Sequence, residues 1–241
     1  MDVKLYKEYL QKNNISTIPS SYWEPDYPNS YTLIKPFDRS IFSIDYPTSI
    51  ADYKKTFNIT FLFQKESYYN TNDILSLIKF ILKSNLSSKY NVIFKFNYEP
   101  HPHIIKTIPL AKIKYIGQLP THEYFGLLQN SHLICSIHRT AFSGRFLAEA
   151  AMFRVPIISS PVGGAMQFLD DSNALFFKSK NADGPENFVP CEECYGGIFN
   201  TVEQNYNNMI RFAYRCHAIV SRLYSQSNYN ETLKYIREET E

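Results

Sequence analysis

From Phe57 onward, short and almost wholly apolar runs alternate with segments of helical period, and no other feature limits the fold so tightly. The runs are Asn58–Phe63, Asn91–Phe96, Lys112–Gly117, His132–Ile137, Val155–Ser160 and Ala174–Phe177. Between them, Asn72-Asp73 opens a helix whose Ile74, Leu77, Ile78, Ile81 and Leu82 share one face. Further helices are expected over Glu123–Gln129, Phe146–Phe153 and, briefly, Ala165–Leu169. Strands apolar along their whole length must be covered on both faces, and helices between strands supply that cover. The pattern predicts an α/β domain with a Rossmann-like, doubly wound parallel sheet. Such sheets take ligands at the carboxyl ends of their strands.

The flanks read differently. Residues 1–56 hold five of the 13 prolines, a density that breaks regular elements. They are expected to form an N-terminal arm or a short, reduced acceptor-side region, with an opening helix over Val3–Gln11. Residues 57–200 form the Rossmann-like domain, and residues 201–241 are C-terminal helices packed on it. After a polar, glycine-containing segment (Ser179–Gly197), one long helix is expected over Val202–Tyr224. Its Met209, Phe212, Cys216, Ile219, Val220 and Leu223 make a packing stripe. An amphipathic piece follows over Asn230–Arg237.

Charge and hydropathy narrow the class of function. A net charge of +2 over 241 residues gives no strong field for nucleic acid. The opening MDVKLYKEYLQKNN lacks the apolar stretch of a signal peptide. No run approaches the ~18 apolar residues of a membrane span. A cytoplasmic protein is expected, with peripheral membrane association left open. A compact chain of this kind is compatible with a viral or other mobile-element origin.

Cys135 lies in an apolar run and reads as a core thiol. Cys191 and Cys194 form a C-x-x-C, and Cys216 precedes His217. A zinc site usually shows two close ligand pairs, so a loop disulfide or two plain thiols is the expectation. A zinc-stabilised set of Cys191, Cys194, Cys216 and His217 is the alternative.

The segment Ile113–Phe177 carries the functional signal. A strand ends at Gly117, Gly144 stands five residues before Glu149, Glu149-Ala150-Ala151-Met152 leads into Val155-Pro156-Ile157-Ile158, Gly163-Gly164 follows, and Asp171-Ser172-Asn173-Ala174 precedes the last strand. This ordered set resembles the C-terminal, nucleotide-sugar-binding domain of family-four (group 1) glycosyltransferases of the GT-B type. The resemblance implies a metal-independent, hexosyltransferase-type enzyme, of retaining stereochemistry in that family. It would use a UDP- or GDP-sugar as donor, need no further cofactor, and act on an acceptor the sequence does not identify. A catalytically silent sugar-nucleotide-binding subunit is the alternative. A second copy or a partner chain would complete the acceptor side.

Physical chemistry assigns roles along the same segment. A helix starting near Ser143-Gly144 offers N–H groups to a diphosphate, and glycine lets the phosphate come close. Arg145 at its first turn would offset charge building on the leaving group. The resemblance gives Glu149 the ribose hydroxyls; a solvated helix glutamate is the plainer account. Gly163-Gly164 fits either a turn presenting N–H groups to the donor sugar or a turn alone. Lys65 stands about where the family places a phosphate-binding arginine, though an exposed loop lysine explains it equally. The chain also departs from the family. Ala141 occupies the place of a glutamate, Asn70–Asp73 contains no lysine, and Gln167 replaces a further glutamate. His138 and Arg139 are the residues placed to supply the missing polar contacts, His138 also as acid or base, or as a structural histidine.

Overall fold

The computed structural model describes residues 56–62, 71–96, 100–109, 112–115, 120–139, 144–180, 188–231 and 234. The expectations for 1–55, for the opening helix and for most of 230–237 fall outside these residues.

Among the described residues, six strands form one parallel sheet: β1 (Thr56–Phe61), β2 (Asn91–Phe96), β3 (Ile113–Tyr115), β4 (Leu133–Ser136), β5 (Ile157–Ser159) and β6 (Leu175–Phe176), in spatial order β3-β2-β1-β4-β5-β6. That is the doubly wound order, and the chain reverses direction across the sheet between β1 and β4. β1 pairs with β2 from Thr56↔Asn91 to Phe61↔Phe96 and with β4 from Ile59↔Leu133 to Phe61↔Cys135. Phe57, Ile59, Phe61, Val92, Phe94 and Phe96 are buried, as are all four residues of β4. The Phe61 and Phe96 rings stack at 5.5 Å. Cys135 is fully buried, and burial pushes its thiol up, in keeping with a core role.

Two polar groups inside the sheet are satisfied rather than stranded. Thr60 and Lys95 are register neighbours. The Thr60 hydroxyl lies 2.6 Å from that of Ser131, and Lys95 Nζ donates to the Asn130 carbonyl at 2.9 Å. Asn130 caps the C-terminus of the helix over Thr121–Gln129, where a cation also meets the negative end of the helix dipole.

The helices are α1 (Thr71–Lys83), α2 (Asn85–Lys89), α3 (Pro102–Thr107), α4 (Thr121–Gln129), α5 (Arg145–Met152), α6 (Tyr195–Gln204) and α7 (Tyr206–Leu223). Ile74, Leu77, Ile78 and Ile81 of α1 are buried at helical spacing. Helices α2 and α3 have no counterpart among the expected elements; five and six residues are too few to show a period. The short helix expected at Ala165–Leu169 is a 3₁₀ turn over Gly163–Gln167.

The single long helix expected over Val202–Tyr224 is two helices that meet at Asn205. Asn205 N donates to the Thr201 carbonyl, closing α6, while φ −139° and ψ 43° take Asn205 out of the helix. Its carbonyl then accepts from Asn208 N at 2.9 Å to open α7. The break turns Tyr206 inward. Its hydroxyl donates to the His132 carbonyl at 2.6 Å, and its ring packs edge-on against Phe57 at 5.5 Å. The expected packing stripe is observed: Met209, Cys216 and Val220 are buried, and Phe212, Ile219 and Leu223 pack partly buried against the core. Helix α7 lies against α5, where His217 Nδ1 sits 3.2 Å from the Met152 carbonyl. No helix among the described residues is long and apolar enough to cross a membrane.

Candidate nucleotide-sugar site

The residues just after β4 (137–139) and the N-terminus of α5 follow the strand that pairs with β1, at the place where the chain reverses across the sheet. Gly144 is the residue before α5, with φ 71° and ψ 0°, a left-handed conformation that side chains disfavour. The space is also closed to a side chain. A Cβ on Gly144 would lie 2.6 Å from Ala165 N and 2.8 Å from the Gly164 carbonyl carbon. Gly144 and the Gly163-Gly164 turn, far apart in sequence, therefore meet backbone to backbone. Gly163 itself has φ 64°, so this glycine is required by the turn.

Helix α5 leaves its first N–H groups without intrahelical acceptors. The Gly144 carbonyl accepts from Leu147 N and Ala148 N, both at 3.0 Å, which starts the helix cleanly at Arg145. One turn in, Glu149 is not a solvated helix residue: its side chain is only 18% exposed. Arg145 Nε lies 3.4 Å from its carboxylate, with the Arg145 side chain 39% exposed. Burial raises the Glu149 pKa above its ordinary value, partly opposed by the Arg145 charge and by the Tyr124 hydroxyl.

Two tyrosines complete this surround. Tyr124 of α4 has a buried hydroxyl, and burial together with the Glu149 charge raises its pKa. Its hydroxyl meets no strict hydrogen-bond geometry but stands near enough to the carboxylate for each to affect the other's proton. Tyr224, just beyond α7, is pushed up to about 12 by burial, with Arg145 opposing and Glu149 reinforcing. Sequence reasoning missed both tyrosines. Each is one of many aromatics in the chain, and nothing local marks it as a neighbour of Glu149.

Arg139 is held by Asp73 in the first turn of α1, through Nε–Oδ2 at 2.7 Å and Nη2–Oδ1 at 2.8 Å. The two-pronged pair ties the end of β4 to α1. In the sequence Asp73 reads only as a helix opener. With Arg139 39% exposed and Asp73 8%, a double-mutant cycle of Asp73→Asn and Arg139→Gln in thermal or urea unfolding is expected to give a coupling of about 1–2 kcal/mol. That lies between exposed and buried pairs. A coupling near zero would place the pair with ordinary surface ions.

His138 is fully buried, its ring tilted against Phe146 at 5.8 Å and its backbone N donating to Ser160 Oγ at 3.1 Å. These contacts hold His138 beside the start of α5. Lys65, Gly117, Ala141 and Ser143 lie outside the described residues. The four zinc candidates do not gather. Cys216 is buried on α7, His217 faces Met152, and no cluster of three or more metal-binding side chains exists among the described residues. A separate cavity of about 530 Å³ runs along α1 beside Ser76, Lys79, Glu192 and Tyr195. It contains none of the residues assigned above to the nucleotide.

No family model and no curated protein matches the sequence. Solved structures do match the fold. HepE from Anabaena, crystallised with UDP and glucose, superposes with a TM-score of 0.65 at 14% identity, over 92% of this chain and 62% of that one. Sucrose-phosphate synthase from Thermosynechococcus elongatus gives 0.70 at 11% identity, over 98% and 61%. The C-terminal domain of the group 1 glycosyl transferase LpcC from Francisella tularensis gives 0.57 at 14% identity, over 79% of this chain and 99% of that domain. The fold is that of the C-terminal half of GT-B glycosyltransferases. The chain spans less than two thirds of the first two of these proteins.

Proposed function

We propose that the chain binds a nucleoside-diphosphate sugar and serves glycosyl transfer from it. The observation that carries this is the contact of Gly144 with the Gly163-Gly164 turn at the start of α5, with the half-enclosed Glu149 one turn further in. In this arrangement the diphosphate sits at the α5 N-terminus, close to Gly144 and Ser143, and the ribose hydroxyls donate to Glu149. The donor sugar lies over the backbone of Gly163-Gly164, and Gly117 is the further glycine assigned to the donor. HepE has been crystallised with UDP and with UDP-glucose, which supports a uridine donor for this chain.

Transfer breaks the bond between the sugar C1 and the diphosphate and forms one to an acceptor oxygen. Negative charge then grows on the departing phosphate. Arg145, exposed enough to swing from Glu149, offsets it and at the same time frees the carboxylate for ribose. Lys65 is the second cation of this reading. Arg139, fixed by Asp73, is a contact for the sugar or phosphate, with the neighbouring His138 as the further candidate for such a contact or for acid–base work. The helix terminus and these cations do the work a metal ion does in other transferases. A hexosyl donor and retention at C1 complete the proposal.

Calorimetric titration with UDP, UDP-glucose and GDP tests it. UDP and UDP-glucose are expected to bind with micromolar dissociation constants and GDP more weakly. No heat with any of them would remove the sugar-nucleotide assignment. Ala141, in place of a glutamate, favours a second reading: a binding subunit without turnover of its own. Hydrolysis or transfer of UDP-glucose by the purified chain would rule that out.

A further inference from the structure

We propose that Cys191 and Cys194 are a reversible dithiol–disulfide site that exchanges with small-molecule disulfides such as glutathione disulfide. The inference is independent of the sugar-nucleotide reading. Cys191 precedes a 3₁₀ turn over Glu192–Cys194, and Cys194 N donates to the Cys191 carbonyl at 3.1 Å, closing that turn. The turn brings the two Sγ atoms to 2.6 Å. That is about half an ångström beyond a sulfur–sulfur bond of ~2.05 Å, so the two sulfurs stand within reach of each other.

Access separates this pair from the other two cysteines. Cys191 and Cys194 are half-buried, whereas Cys135 and Cys216 are buried, at 0% and 1% exposure. Burial pushes the Cys216 thiol up to about 12, so little thiolate forms there. At the pair, the Cys191 thiol meets Cys194 Sγ and donates to Glu193 Oε2 at 3.4 Å, contacts that hold its pKa above the ordinary thiol value, so access and proximity rather than acidity favour exchange here. Glu193 in turn reaches Lys180 at 3.8 Å. A metal would need further ligands, and no such cluster exists among the described residues.

The exchange balances without further reactants. One thiolate attacks glutathione disulfide, forming a mixed disulfide and releasing one glutathione thiolate. The second cysteine attacks the mixed disulfide, closes the Cys191–Cys194 bond and releases the second glutathione. The two protons lost by the protein end on the two glutathione molecules. The new bond joins the segment returning after β6, where Cys191 N donates to the Lys178 carbonyl at 2.8 Å, to the start of α6. The next residue, Tyr195, is buried edge-on against Phe177 and Phe80. Oxidation thus stiffens a wall that touches the core.

The full chain is equilibrated in graded mixtures of reduced glutathione and glutathione disulfide, quenched with acid, alkylated and mapped by mass spectrometry. Cys191 and Cys194 are expected to lose alkylation together, in a linked peptide two hydrogens lighter, with no lasting glutathione adduct. Cys191→Ser is expected to leave a persistent adduct on Cys194, and Cys194→Ser one on Cys191. The folding of both variants is followed by circular dichroism, and the wild-type result stands without them. A stable adduct on either cysteine of the wild type, or two thiols that remain alkylatable in excess glutathione disulfide, would overturn the proposal.

Discussion

Glu149→Gln is expected to weaken UDP binding about 30-fold while leaving the free protein at least as stable as the wild type. The loss corresponds to roughly 2 kcal/mol, the order of a charge-assisted hydrogen bond removed from a half-enclosed site. Stability moves the other way because Glu149 is costly where it stands. Its folded-state pKa lies above the ordinary 4.5 through burial, although Arg145 is 3.4 Å away. Between the unfolded and the folded value the native state holds more protons than the unfolded state. The group's contribution to stability therefore falls as pH rises through that window. Nucleotide affinity follows the opposite sign, since ribose hydroxyls need the carboxylate as acceptor, and it drops as pH falls through the folded pKa. Paired measurements of UDP affinity and melting temperature against pH, for wild type and Glu149→Gln, check both. Equal affinity in the two proteins would remove Glu149 from the site, whereas a large drop in melting temperature would make it a structural residue.

Gly144→Ala is expected to have the largest effect on the fold itself. The substitution places a Cβ 2.6 Å from Ala165 N and 2.8 Å from the Gly164 carbonyl carbon, both backbone atoms that cannot rotate away. It also forces a side chain onto φ 71°. Strain of this kind costs ~1–3 kcal/mol and overpacking ~1–3 kcal/mol more, so a destabilisation of about 3 kcal/mol is expected. In a chain of this size that lowers the melting temperature by roughly 10 °C. Relief requires the Gly163–Gln167 turn to move off α5, so UDP affinity should fall as well. A variant with native stability and native affinity would show that the contact of the two glycine segments is not a constraint. Gly126→Ala is the control, because a Cβ there meets nothing within 4 Å and helix α4 accepts alanine.

Much of the sheet was legible because parallel, doubly covered strands must be apolar throughout. Asn91–Phe96 is observed as expected, and β1, β3, β4, β5 and β6 lie inside or within two residues of their expected runs. The start of α5 was equally plain, since Gly144 breaks the pattern just before a helical period resumes. The break at Asn205 was not legible. Val202 and Met209 are seven residues apart and both buried, so the apolar period carries across the interruption. The separation of the two helices shows only in three dimensions, where Asn205 leaves the helix and Tyr206 packs against His132 and Phe57.

By itself the sequence determined the class of fold and where the helix after β4 begins, because periodicity and glycine placement are local properties of a chain. It pointed to Gly144, Arg145, Glu149 and Gly163-Gly164 one by one. Only the tertiary structure decided how they stand to each other: Gly144 against Gly164 and Ala165, Glu149 enclosed by Tyr124, Tyr224 and Arg145, and Arg139 held by Asp73. Apart from Arg145, which shares a helix with Glu149, these neighbours come from helices and turns separated along the chain. Burial and charge at a site depend on distance in space, and no local pattern of residues encodes that distance.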